Sequence, residues 1–144
     1  MIEKDTVRLL RECDAGIRMG VSGINDVMKY VKSNGFKRTL KDCKQEHVAL
    51  SREIESELHR FDDRGKKPNP IALGMSKMKT EMKMTVMGDD NTAADLMTDG
   101  CNMGVKSLNK YLNKYKAADE VSKDIAKRLI NLEEKLAVDI RKYL

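Results

Sequence analysis

Residues 7–31 read VRLLRECDAGIRMGVSGINDVMKYV, and the apolar residues of this stretch recur with heptad spacing in two interleaved series. The first series is Leu10, Ile17, Ile24 and Val31, and the second is Val7, Asp14, Val21 and Met28. Residues at this spacing share one side of an α-helix. An apolar side is stable only when it is buried, so the stretch predicts one long helix packed against other helices.

The composition favours a single all-α domain. A chain of 144 residues is long enough for one full core, and we expect one domain over residues 1–144. Only 2 prolines and no tryptophan occur, and 35% of the residues are charged, which is typical of helical proteins. The N-terminus is already charged and no apolar run approaches the roughly 20 residues of a membrane span. These features predict a soluble, cytoplasmic protein.

The same periodicity predicts four long helices and one shorter crossover helix. We expect the long helices at about residues 5–33, 37–62, 92–116 and 119–144, and the crossover helix at about 71–87. Asp5 is a candidate N-cap, and Asn34 and Gly35 are expected to end the first helix in a left-handed conformation. Two helical hairpins joined by a longer connection form an up-down four-helix bundle with one crossover, which is the ferritin-like connectivity.

Four short motifs accompany this helix order: Asp14-Ala15-Gly16-Ile17, Gln45-Glu46-His47, Gly88-Asp89-Asp90 and Asp99-Gly100-Cys101. With them, the chain resembles the ferritin-like superfamily over nearly its whole length. More narrowly, it is similar to a family of small bacterial four-helix proteins that has no established activity. The resemblance implies the fold and leaves the function open.

Ferritin-like oxidases hold two iron ions with one Glu from each of two helices and a Glu-x-x-His from each of the other two. Here Lys44 stands one turn before His47, where a Glu is expected, and an ammonium repels a metal cation. On the last helix Glu133 remains, but Leu136 stands where the histidine belongs. The sequence therefore predicts that the di-iron site is lost and that no cofactor is bound.

Residues that are equally far from the turn of a helical hairpin lie opposite each other, and this places the remaining candidate ligands. At about 1.5 Å per residue, His47 faces the region of Val21, and Cys101 lies opposite Glu133. One alternative is therefore a reduced zinc or iron site made of His47, Cys101 and Glu133. The other interpretation of His47 is a hydrogen-bonded core residue, and we favour it.

The three cysteines, Cys13, Cys43 and Cys101, are an odd number, lie far apart and form no CxxC motif. Each falls at or beside an apolar series, which predicts three buried free thiols in a reducing compartment.

The net charge of +5 comes from 28 basic and 23 acidic residues whose signs alternate along every helix. Only 4% of the residues are aromatic, so few side chains are present to stack on bases. We therefore expect a mixed-charge surface and no nucleic-acid partner.

Two features of the first helix call for close packing. Asp14 is an acid on an apolar side, which predicts a structural contact to an Arg, a Lys or a backbone group of the facing helix. Gly16, Gly20 and Gly23 each cost up to about 1 kcal/mol relative to Ala, which is best tolerated where a neighbour packs against the bare backbone.

The crossover helix combines methionines with lysines. We favour the interpretation that its methionines pack in a groove of the bundle. The alternatives are a surface for self-association or another protein, formed by Met75, Met78, Met82, Lys79 and Lys83, and, less favoured, a membrane surface.

No catalytic motif is found. The leading hypothesis is a non-catalytic ferritin-like bundle with a structural or protein-interaction role. A stress- or spore-related function is one such role. The alternative is a metal-binding or redox protein that uses iron or zinc at the His, Cys and Glu candidates.

Overall fold

A computed structural model describes residues 2–144, apart from the side chains of Ile2, Ile71, Val86 and Met87. Within this range the chain is 83% helix and has no strand, which confirms the all-α prediction. The five α-helices are α1 (Ile2–Met28), α2 (Asn34–His59), α3 (Pro70–Met87), α4 (Asp90–Lys114) and α5 (Glu120–Asp139), and a short 3₁₀ helix follows at Arg141–Tyr143.

The boundary between α1 and α2 differs from the prediction. Asn34 and Gly35 do not end α1; they form the first turn of α2, and neither has a positive φ. The side chain of Ser33 caps α2 by accepting the Phe36 N–H at 3.2 Å. The carboxylate of Asp90 accepts the N–H groups of residues 32 and 33 at 2.8 and 2.9 Å, so the connection is held by α4.

Asp5 is not an N-cap either. The helix begins at Ile2, and the Asp5 carboxylate accepts the Ala117 N–H at 3.1 Å. Beside it, the Thr6 hydroxyl accepts the Asp119 N–H at 2.8 Å. Both side chains therefore secure the turn between α4 and α5 instead of satisfying their own helix.

These contacts fix the helix directions. The start of α4 binds the connection that follows α1 through Asp90, and the start of α1 binds the turn that follows α4 through Asp5, so α1 and α4 are antiparallel. The guanidinium of Arg128 donates to both carboxylate oxygens of Glu53 at 2.8 and 2.9 Å, across antiparallel α2 and α5. Helix α3 lies against α1 and α4. This arrangement is compatible with a helical bundle.

Asp14 ties the connection before α3 to α1. Its side chain is 1% exposed, and its carboxylate accepts the Lys66 N–H at 2.9 Å and the Arg18 Nε–H at 3.3 Å. Gly65 has a φ of 84°, and any Cβ there would collide with the Asp14 carboxylate. The predicted Arg and backbone partners are present, but they lie on the same helix and in a loop, not on the facing helix.

The apolar core is divided into two clusters. One is formed by the start of α1, the end of α2, the end of α4 and the start of α5, and includes Leu10, Ile54, Leu108 and Leu129. The other is formed by the opposite halves of these helices, and includes Ile24, Leu40, Met97 and Leu136. Between the clusters, each long helix contributes one residue that is not an apolar side chain: Gly20, His47, Gly104 and Glu133.

Helix α3 turns most of its methionines outward. Of its described side chains, only Thr80 and Met84 are buried. Met75, Met78 and Met82 are 66%, 63% and 64% exposed. The interpretation that the methionines pack in a groove is therefore right for Met84 and wrong for these three.

Within the described part of the chain, no helix combines the length and apolar character needed to cross a membrane.

Candidate functional site

The polar layer of Gly20, His47, Gly104 and Glu133 lies in the middle of the core. His47 is 0% exposed and Glu133 is 9% exposed. Their side chains meet across the α2–α5 contact, where His47 Nε2 lies 2.8 Å from Glu133 Oε1. The structure thus joins the two residues that the sequence retains from the expected ligand set.

The second ring nitrogen of His47 is also engaged. His47 Nδ1 lies 2.8 Å from the carbonyl oxygen of Cys43, one helical turn earlier, and 3.5 Å from the Cys43 sulfur. A carbonyl oxygen only accepts hydrogen bonds, so Nδ1 carries a proton and donates it. The ring is therefore fixed in orientation from both sides.

The raised pKa of His47 favours the charged form of the pair. Burial alone lowers the pKa of His47, but the hydrogen bonds to Cys43 and Glu133 and the negative charge nearby raise it to about 10. At neutral pH the ring holds protons on both nitrogens. The layer is then a buried imidazolium–carboxylate pair, whose attraction and hydrogen bonds offset the loss of hydration.

Cys101 completes the surroundings of Glu133. Burial raises the pKa of the Cys101 thiol, and the negative charge of Glu133 and a hydrogen bond to that carboxylate raise it further. The contact agrees with the prediction that Cys101 lies opposite Glu133. Burial, together with Glu12 and Asp14, likewise raises the pKa of Cys13 to about 12.

All three cysteines are buried and free, as the sequence predicts. The nucleophile and metal ligand of a cysteine is its thiolate. Because Cys13 and Cys101 stay protonated at neutral pH, both thiols act as packing groups.

Glycine makes room for the pair on α1. A Cβ on Gly20 would lie 3.2 Å from His47 Nε2 and 3.6 Å from Glu133 Oε1. On α4, a Cβ at Gly104 would lie 3.6 Å from the Glu133 side chain, an ordinary contact distance. The expected close packing over glycine is confirmed at Gly20. It is wrong at Gly23, where an added Cβ would meet nothing within 4 Å, while an added Cβ at Gly16 would lie 3.9 Å from the Leu129 side chain, an ordinary contact distance.

The predicted alternative metal ligands are close together but are engaged with one another. His47 bonds Glu133 directly, and Cys101 bonds the same carboxylate. In residues 2–144, with the side-chain exceptions given above, no group of three His, Cys, Asp or Glu residues is arranged to hold a metal ion. The expectation that the protein needs no cofactor stays a prediction.

Cys43 is a member of the site that sequence reasoning missed. Its backbone carbonyl accepts the Nδ1–H of His47, and its sulfur packs against the ring. The available signal was the spacing of four residues between Cys43 and His47, which places both side chains on one face of α2.

Comparisons of the chain with protein-family models, with curated proteins and with solved structures found no match. The ferritin-like resemblance therefore stays a prediction.

The polar layer is suited to fixing the register of the helices. A buried charge without its partner costs several kcal/mol, so sliding α2 along α5 by one turn would be strongly opposed. Two surface grooves lie along α1, and neither is lined by His47 or Glu133.

The pair predicts a characteristic dependence of stability on pH. Below pH 6.5, the ordinary pKa of histidine, the folded and unfolded chains both hold the His47 proton. Above it the unfolded chain releases this proton, while the folded chain keeps it until about pH 10. The free energy of unfolding should therefore fall by about 1.4 kcal/mol per pH unit between about pH 7 and 8.5.

Urea unfolding at several pH values measures this slope. The double variant His47→Gln with Glu133→Gln removes both charges, so the difference in slope from the wild type isolates the pair. His59→Gln, at the other histidine, which is exposed, should keep the wild-type slope. A wild-type profile no steeper than that of the double variant would contradict the charged pair.

Gly20 and Gly23 of α1 predict opposite effects of one added methyl group. Gly23→Ala should raise the free energy of unfolding by about 0.5–1 kcal/mol, because Ala is the better helix former and the space is open. Gly20→Ala should lower it by about 1 kcal/mol, because His47 is held at both nitrogens and cannot move aside. Equal gains in the urea midpoint for both variants would show that the layer tolerates a side chain at Gly20.

Proposed function

We propose that this protein is a non-catalytic helical bundle of ferritin-like connectivity that acts by binding a partner protein through the outer side of α3. In this proposal the polar layer replaces the di-iron ligands and serves only to align the helices. The helix directions support the connectivity: α1 and α2 form one antiparallel hairpin, α4 and α5 form another, and α3 returns along α1 between them.

The observation that carries the proposal is the methionine face, by which we mean Met75, Met78 and Met82. Their spacing places them on one side of α3, and each is more than three-fifths exposed. Helix α3 is apolar on its inner side as well, where Met84 packs into the core. An apolar stripe at helical spacing that the fold does not cover is typical of helix recognition surfaces, and methionine side chains adapt to their partners.

Charge indicates which partner fits. Lys79 and Lys83 lie beside the methionine face, Glu81 is the one acidic residue of α3, and within the described residues none of these three makes an ion pair. A second copy of the chain would bring like charges together. A partner with an apolar strip and an acidic rim satisfies both the methionines and the lysines.

A membrane surface is the weaker candidate for this face. Interfacial helices usually present aromatic or large aliphatic side chains to the lipid. Helix α3 contains no Phe, Tyr or Trp, and its exposed stripe consists of methionines. We therefore assign the methionine face to an acidic protein segment.

A defined peptide tests this assignment. The probe is an 18-residue helical peptide with a leucine stripe flanked by glutamates, and its matched counterpart carries lysines in place of the glutamates. Fluorescence anisotropy should show saturable binding of the acidic peptide and at least about tenfold weaker binding of the basic one. The double variant Met78→Glu with Met82→Glu should abolish binding, and added salt should weaken it.

The chain supplies a matched control. Met103 lies on α4 and is 69% exposed, so Met103→Glu makes the same chemical change on another surface and should leave binding intact. Equal loss in Met103→Glu would contradict the assignment. Stronger binding to anionic vesicles than to the acidic peptide, or a dimer in sedimentation that Met78→Glu dissociates, would replace the acidic partner by a membrane or by a second copy.

A further inference from the structure

An open groove runs along the outer surface of α1, between α2 and α3. Its volume is about 550 Å³, within the range of sites for small ligands. The apolar part of the lining is formed by Ile17, Val21 and Val48. Ile17 belongs to the core, and Val48 is 37% exposed, so the groove joins the core surface to solvent.

Asp26 is the unusual residue of this groove. It lines the groove and is only 8% exposed, yet within the described residues no hydrogen bond or ion pair reaches its carboxylate. Every fully buried side-chain oxygen of the described residues has a hydrogen-bond partner, so the oxygens of the Asp26 carboxylate remain accessible to solvent beside the groove that Asp26 lines. The Asp26 carboxylate is therefore positioned to accept a donor that enters the groove.

Three cationic side chains line the same groove, and one of them, Arg18, is ion-paired with Asp14. Lys29 and Lys77 are exposed, and neither ammonium forms an ion pair with a described residue. They come from different helices, α1 and α3. The groove thus offers one buried acceptor and two free cations beside an apolar wall.

We propose that this groove binds an aliphatic amino acid. The ligand's ammonium bonds the Asp26 carboxylate, its carboxylate lies between Lys29 and Lys77, and its side chain covers Val21 and Val48. A ligand with only a positive group would be repelled by the two lysines, and one with only a negative group would leave Asp26 unpaired. The zwitterion satisfies all three side chains. This site is separate from the methionine face and does not depend on it.

Three small probes of one shape separate these contributions. L-leucine carries both groups, 4-methylpentanoate lacks the ammonium, and 3-methylbutylamine lacks the carboxylate. Titration of the full-length ¹⁵N-labelled protein, followed by amide chemical shifts, should show saturable binding of leucine that shifts residues lining the groove. Each of the other two should bind at least about tenfold more weakly.

Substitutions assign the contacts. Asp26→Asn keeps the shape and breaks no protein contact, and it should make leucine bind no better than 4-methylpentanoate. Lys29→Gln with Lys77→Gln should make leucine bind no better than 3-methylbutylamine. Asp99→Asn, at an exposed acid of α4, should bind all three probes as the wild type does.

Several outcomes would overturn the proposal. These are the absence of saturable leucine binding, equal affinity for the three probes, and wild-type selectivity in the Asp26→Asn variant. Shifts that map to α4 and α5 instead of the groove would also overturn it. Circular dichroism of each variant checks that its helix content is unchanged, so that loss of binding is read as loss of a contact.

Discussion

The rest of this structure depends on the buried pair of His47 and Glu133. Two charges in the middle of a helical core are stable only when they meet, so α2 and α5 align in the one register that joins them. Helix α1 has a glycine at the same position along the bundle, because a Cβ at Gly20 would press on the imidazole. One ion pair therefore constrains three helices at once, and the apolar clusters on either side of it follow from that alignment.

With the four long helices packed in this way, α3 contributes little to the core. It buries Met84 and leaves the methionine face open, while Asp14 holds the connection that precedes it. Function is therefore expected on this outer helix and in the groove beside it, where Asp26 lacks a partner. The core supplies alignment, and the surface around α3 supplies the free apolar and charged groups.

The sequence predicts the helices and the levels of their central residues well, because heptad spacing and helical rise are local properties. Helical rise alone is enough to pair Glu133 with Cys101. It does not predict the ends of α1 and α2, since Asp90 and Asp5 act from distant parts of the chain. The orientation of α3 is also hidden in the sequence, because a helix that is apolar on both sides has no periodicity that marks its inner face. Nothing in the charge pattern singles out Asp26, because the burial of a side chain depends on packing between elements that are distant in the chain.

The most direct test of this account is the protonation of His47 in the protein as purified. A long-range ¹⁵N–¹H spectrum of the imidazole groups at neutral pH reports both ring nitrogens, and the His47→Gln variant assigns the signals. We expect both nitrogens of His47 to carry protons. A ring with one unprotonated nitrogen would contradict this expectation. Such a ring would mean either a neutral pair with Glu133 or a metal ion bound at the centre of the core.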